Sequence, residues 1–271
     1  MSTNLIYFSM KLKVFIILLF SSTELFAQSL CRTDIMNGEK IVQKNQQTKF
    51  TAHDFSTTWL KTDDIFVYGV IGAENQRILI KILTVKKDDI HPNEYLVKGK
   101  SSVKGNICDF KGKIVIQKIQ ESIRTKFGVD NEFEGRSKTQ GLLTARYEFF
   151  EDKKQKHSGF FIGELKTKWY LNERNKIQYD DINAHSDGYF NNAFVGSWKV
   201  YDSNLIKRCN WGDFRVPNIN CDFDIGTAEF NIAEKYWDKG WLDVALKNKM
   251  PNGSAVEANG DKTDMKWWKY R

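Results

Sequence analysis

The stretch RCNWGDFRVPNINCDFDIGTAEF, residues 208–230, gathers two of the four cysteines with a tryptophan, an arginine and an alternating series of amide and acidic residues. Three things can be built from such a set: a cation-binding loop, a recognition patch, or a stapled connection between strands. For a cation, Asn218, Asn220, Asp222 and Asp224 alternate, and Glu229 falls at the twelfth place of a calcium loop counted from Asn218. The sixth place is Phe223, where such a loop needs glycine for its sharp turn, and Cys221 interrupts the set. A polar loop leading into a strand is the plainer reading. No metal and no cofactor is assigned.

The segment NWGDFR is different in kind. Trp211, Asp213 and Arg215 fall on one face of an extended chain, with Gly212 permitting close approach and Pro217 ending the run. An aromatic ring, an acid and a guanidinium side by side make a recognition patch. They equally make an internal clamp of Asp213 on Arg215 that fixes the loop, and the clamp is preferred. Catalytic sets are thinner. His157-Ser158 and His185-Ser186-Asp187 hold the residue types of a hydrolase triad, but adjacent residues seldom meet correctly, and no Gly-x-Ser-x-Gly elbow is present. Asp180 and Asp181 would point to opposite faces of a strand, which makes them poor partners for joint acid–base work. No catalytic residue is assigned, and the reading leans against an enzyme.

These residues must be positioned by the rest of the chain, which begins with an export pattern. Lys11 and Lys13 precede the apolar run Val14 to Phe20, and small and polar residues follow up to Ala27. That is the layout of a secretory leader over residues 1–27, and the run is far short of the roughly 20 residues that span a bilayer. The expected location is periplasmic or secreted, with no membrane span. Losing Lys11, Lys13 and Glu24 with the leader lowers the net charge from +7 by +1 to +6. Such a surplus gives solubility and mild attraction to anions. The basic residues are spread thinly, so no nucleic-acid partner is expected. Cys31, Cys108, Cys209 and Cys221 all lie beyond the leader, and an even number in an oxidising compartment favours two disulfides. The close Cys-x-x-Cys pairs of zinc sites are absent. All three connectivities are open, and short-loop closure favours Cys209 with Cys221.

From residue 64 the pattern is that of strands. IFVYGVIG (65–72), RILIKILTVKK (77–87), YLVKGKSSVKG (95–105), KGKIVIQKI (111–119), LLTARYEFFED (142–152), GFFIGELKTKWYL (159–171), KIQYDDI (176–182) and NAFVGSWKVYD (192–202) all alternate or are rich in β-branched and aromatic residues. In FIGELKTKWYL, Phe161, Gly163, Leu165, Thr167 and Trp169 face one way, and Glu164, Lys166 and Lys168 the other. One wet and one apolar side is the mark of an antiparallel sheet with one buried face. The stretch IQKIQESIRTKF (116–127) is read as a strand running into a short helix or loop. Residues 28–230 are therefore expected to form a single antiparallel β domain of roughly eight to ten strands, a calycin-like barrel or a sandwich. Residues 231–271 are expected to form a helical extension packed on it. Asn231 and Glu234 have the spacing of a capping pair, and Ala233, Trp237, Trp241 and Val244 form the stripe of one amphipathic helix.

GVIG with QRILIKI, YLVKGKSSVKGNICDFKGKIVI, DGYFNNAFVGSWKVY and CNWGDFRVPN with DFDIGTAEF resemble a family of secreted, uncharacterised proteins of Gram-negative bacteria, over roughly residues 64–245. The resemblance brings no function with it. It implies that cysteines matching Cys108 and Cys209 are usual while the position of Cys221 is variable. That favours Cys108 with Cys209 and leaves Cys31 with Cys221, against the local Cys209–Cys221 pairing. The leading expectation is an exported binding protein whose ligand is a small apolar molecule inside the barrel, where inward Gly163 and Gly196 leave room. Trp169 and Trp198 would line that space, while Trp211, Asp213 and Arg215 would meet a macromolecule. The alternative is a secreted interaction or inhibitor module using exposed aromatics to engage a protein partner. A hydrolase of envelope polymers comes last.

Overall fold

A strand forms wherever inward apolar residues alternate with outward polar ones, and ten do so in the computed structural model, which describes residues 33–249 apart from 37 and 202, together with 266–269. The expected leader, residues 1–27, and Cys31 lie outside the described residues. The strands are β1 (Val67–Ile71), β2 (Gln76–Arg77), β3 (Leu79–Lys87), β4 (Glu94–Val103), β5 (Asn106–Glu121), β6 (Ser137–Glu151), β7 (Gly159–Asn172), β8 (Ile177–Tyr179), β9 (Asn191–Val200) and β10 (Ile206–Asp213). Phe161, Leu165, Thr167 and Trp169 of β7 are buried while Ile162 and Glu164 are exposed. Lys104 and Gly105 both take positive φ in the turn between β4 and β5, the backbone that matches the twist of a two-residue hairpin.

All pairings are antiparallel, in the order β2-β1-β10-β9-β7-β6-β5-β4-β3, with β8 added beside β7. Register shifts in β3, β5, β6 and β10 mark bulges, which increase local twist and help the sheet to curl. The expected barrel or sandwich is thus one mainly β, curled antiparallel sheet. Its two ends belong to a single stretch of chain, since β2 runs into β3 through Ile78. That stretch pairs with β1 only at Val70–Arg77 and Ile71–Gln76, with one further bond from Ile78 N to Gly69 O at 3.0 Å. Beyond Ile78 the two strands part and leave a wedge between β1 and β3. No helix among the described residues is long and apolar enough to cross a membrane.

The concave side is filled by rings. Trp169, Trp211, Tyr95, Tyr147, Phe149 and Phe161 are all fully buried there. The glycines expected to leave room for a ligand instead admit Tyr147. A Cβ on Gly163 would lie 2.7 Å from the Tyr147 hydroxyl, and one on Gly196 would lie 2.6 Å from it. A segment to which the sequence assigned no element closes one end. The helical turn Gln47–Phe50 and the 3₁₀ turn Ser56–Trp59 push Phe50, Phe55 and Trp59 into the core. Phe50 meets Trp169 edge-on with ring centres 4.7 Å apart, and the Trp59 indole N–H donates to Thr167 Oγ1 at 2.9 Å.

A second apolar cluster sits outside the sheet, where Tyr68 and Val70 of β1 meet Val216, Ile219, Phe223, Phe230, Trp241 and Val244. The single amphipathic helix expected after Asn231 is not formed. A 3₁₀ helix, Glu234–Lys239, ends at Gly240 in the left-handed region (φ 88°), and a separate α-helix, Leu242–Lys249, follows. The first turn begins after Ala233 and has no side-chain cap, so Asn231 and Glu234 form no capping pair. The break lets the Trp241 indole N–H reach Asn75 O at 2.9 Å, which one continuous helix was not required to do.

Because a Cβ at Gly163 would meet the Val195 carbonyl oxygen at 2.2 Å and the Tyr147 hydroxyl at 2.7 Å, Gly163→Ala is expected to lower the unfolding free energy by about 1–3 kcal/mol or more through overpacking. Denaturant titration measures it; an unchanged midpoint would show that the space is free.

Candidate functional site

The NWGDFR segment is the end of β10 and the turn after it, and its three candidate residues part company. Trp211 points into the core, stacked on Phe194 with ring centres 4.6 Å apart. A register shift between Trp211 and Asp213 lets the chain turn, and Gly212 is needed there because a Cβ would lie 2.7 Å from the Phe190 ring and 2.8 Å from Arg215 O. Asp213 is buried at the wedge. Arg215 turns away from it, so the expected Asp213–Arg215 clamp is absent. The guanidinium instead pairs with Asp224 at 2.5 Å and donates to Ala228 O at 2.8 Å and Gly226 O at 3.2 Å. It is a clamp on the 222–230 loop, chosen because Asp224 lies across that loop while Asp213 is sequestered in the sheet. Asp222 pairs with Lys235 at 2.7 Å, so the acidic series is divided between cations of the chain itself. Among the described residues, no group of three or more His, Cys, Asp or Glu is placed to hold a metal ion.

The wedge between β1 and β3 forms a small cleft of about 30 Å³, room for about two water molecules. Val67, Ile80 and Ile82 line its sides, Trp59, Trp211 and Phe194 supply rings, and Asp213 and Asn192 are its buried polar groups. The Asp213 carboxylate accepts from Asn192 Nδ2 at 2.7 Å and from the Thr62 hydroxyl at 2.7 Å. Asn192 is fixed in turn, since its Nδ2 also donates to Thr58 O at 2.9 Å and its Oδ1 accepts from Thr167 at 2.9 Å. The Tyr179 hydroxyl is within reach of Asp213 and Thr62 but makes no bond of ordinary geometry. Burial pushes the Asp213 carboxyl up to about 7, against the pull of its Thr62 and Asn192 donors. Lys81 at the rim pairs with Asp64, and its Nζ lies 4.8 Å from the Trp268 ring centre.

Other buried carboxyls have closed surroundings. Glu151 accepts from Ser101, from Gly159 N at 2.7 Å and from the Trp198 indole at 3.0 Å, and burial raises its pKa. Asp180 is raised to about 6, again chiefly by burial. Asp181 meets Arg136 at 3.3 Å, so the two neighbours do separate work. Trp169 and Trp198 are buried in the core cluster. The favoured Cys108–Cys209 disulfide is not formed, nor is Cys209–Cys221: Cys108 and Cys209 are buried free thiols. Burial raises Cys108 to about 11 and Cys209 further still, so both hold their protons. Cys221 is disulfide-bonded, and the expected partner Cys31 lies outside the described residues.

Fold and site together define a curled antiparallel β protein with an aromatic-rich core and a polar opening at its seam. No family model, curated protein or solved structure matches the chain. Sequence reading picked out Asp213 but missed Asn192, Thr62 and Tyr179. No parity signal could have found Asn192: it has φ 46° at the register shift opposite Trp211 and Asp213, where alternation along β9 breaks.

Two outcomes follow from these charges. A carboxyl held above its unfolded value of 3.8 binds its proton more tightly when folded, so stability is highest below that value and falls as pH climbs to about 7. In thermal melts from pH 4 to 8, Asp213→Asn is expected to flatten part of that fall and to exceed the wild type above pH 7. An identical slope in the variant would place the titration elsewhere. Arg215→Ala is expected to cost about 3–5 kcal/mol by stranding Asp224, and adding Asp224→Asn should recover part of the loss in the same denaturant assay.

Proposed function

We propose that the protein is an exported binding protein whose ligand-taking site is the wedge at Asp213, and that the ligand presents a small cationic head group of the primary-ammonium class. The observation that carries this reading is a buried carboxyl beside an opening, with no ion-pair partner among the described residues. Its ionised form is supported by two donors yet opposed by burial, and an incoming ammonium would supply the missing charge. Rings of Trp59, Trp211 and Phe194 offer apolar walls and favourable faces for a cation. The volume suits a head group of two heavy atoms with its chain directed outward. Lys81, the nearest cation at the rim, is neutralised by Asp64. The filled interior weighs against a larger apolar ligand inside the sheet, which moves the binding reading to this seam. Export rests on the leader pattern of residues 1–27.

The test is a titration with primary alkylamines, methylamine to hexylamine, followed by tryptophan fluorescence. If the amine binds only ionised Asp213, apparent affinity scales with the ionised fraction and should be about tenfold weaker at pH 6 than at pH 8. The other titratable groups facing this carboxyl, Tyr179 and Tyr189, are pushed well above 10 and stay neutral throughout. Asp213→Asn should abolish the saturable signal. No saturation with any amine, or an unaltered response in the variant, would overturn the proposal.

A further inference from the structure

The outward face of the sheet carries a second arrangement that is visible only once the registers are known. Lys98 of β4 lies opposite Lys111 of β5, which lies opposite Phe150 of β6, then Phe160 of β7, Lys199 of β9 and Ile206 of β10. Adjacent strands are about 4.8 Å apart, so this is one continuous row across six strands. All six side chains have the outward parity. Phe150 is 43% exposed and Ile206 60% exposed, and in the neighbouring row Ile162 is 41% exposed. The Phe150 and Phe160 rings stack with centres 5.7 Å apart, and Phe160 is 5.8 Å from Tyr201, over whose ring Lys153 lies. Among the described residues none of Lys98, Lys111, Lys153 and Lys199 meets a carboxylate. The nearest acids in register are Glu148, opposite Lys113, and Asp109, which pairs with Lys100 at 3.3 Å.

We infer that this row is a docking face for an anionic lipid bilayer surface, bound peripherally. Three features point to lipid. The row stands on the convex side of a curled sheet, so its rings form a ridge rather than a pocket shaped to one protein. The ridge is apolar at its centre and cationic at its flanks, the pattern that places rings at the level of the head groups and lysines over their phosphates. The exposed rings are rigid β-strand side chains, so little ordering is needed to insert them. The face is separate from the wedge and stands or falls without it.

Co-sedimentation of the purified protein with vesicles of phosphatidylcholine, alone or with 30% phosphatidylglycerol, tests the inference. Binding should require the anionic lipid and weaken steeply as salt rises from about 0.05 to 0.5 M, because exposed charges are screened. Lys98→Glu with Lys111→Glu should lower the partition coefficient at least tenfold, and Phe150→Ser should lower it severalfold. Lys44→Glu with Lys176→Glu, the same charge change at exposed sites near the other end of the sheet, should leave it within about twofold. Circular dichroism confirms that each variant is folded. Equal losses in both double variants would reduce the effect to net charge and overturn the assignment. So would absence of vesicle binding, or retention on an immobilised acidic protein without it.

Discussion

Everything in this fold depends on filling the concave side of one curled sheet. Counting the bent stretch through Ile78 as one strand and leaving β8 aside, the ten strands reduce to eight around the core, and their curl leaves a concave side that side chains can fill. Half of the buried core residues are aromatic, and the largest side chains among them are the rings. Tyr147 is the centrepiece: it contacts Phe149, Phe194 and Trp211, each at a ring-centre distance of 5.2 Å, and fits only because Gly163 and Gly196 lie beneath its hydroxyl. Its hydroxyl is buried without a hydrogen-bond partner, an expense in free energy that the surrounding packing must offset. A second sheet is therefore unnecessary. The plug of Phe50, Phe55 and Trp59 completes the core from one end.

Filling by rings has a consequence for polar groups. Strand ends that point inward place carboxylates where rings run out, and the chain surrounds two of them with its own donors. At one end Glu151 gathers Ser101, Gly159 and Trp198; at the seam Asp213 gathers Asn192 and Thr62. The two differ in access. Glu151 is enclosed by its donors, whereas Asp213 borders the opening that forms because β1 and β3 part after Ile78. The difference comes from backbone pairing and not from the residues themselves, which is why a carboxyl of ordinary type acquires a distinctive setting at only one of the two places.

That dependence also explains what the sequence made legible. Alternation in FIGELKTKWYL identified the inward face of β7 correctly, and the same signal located β1, β3 to β6 and β9, because burial on one side of a strand writes itself into every second residue. Residues 33–63 carry no such period. Their buried rings are Phe50, Phe55 and Trp59, at irregular spacing, so the plug was silent. Trp237 and Trp241 gave a true apolar stripe but a false helix, since Gly240 was free to take the left-handed conformation that splits it. Arg215 was correctly read as a clamp but given the wrong acid. Local spacing favoured Asp213, while the loop fold brought Asp224 within 2.5 Å.

The position of Trp268 adds a last step. Lys81 pairs with Asp64 on one side and lies over the Trp268 ring on the other, so the segment 266–269 meets the rim of the same wedge that exposes Asp213. The rim is thereby built from three separate parts of the chain: the turn Asp64–Phe66, strand β3 and the segment near the C-terminus. None of these contacts is needed to fill the core. Their convergence at the seam, where the sheet fails to pair, follows from the rule that an unpaired strand edge must be covered or charged. Here Lys81 supplies the charge and Trp268 the cover. The edge most exposed by the curl is also the place where the chain brings an acid, a lysine and a tryptophan together.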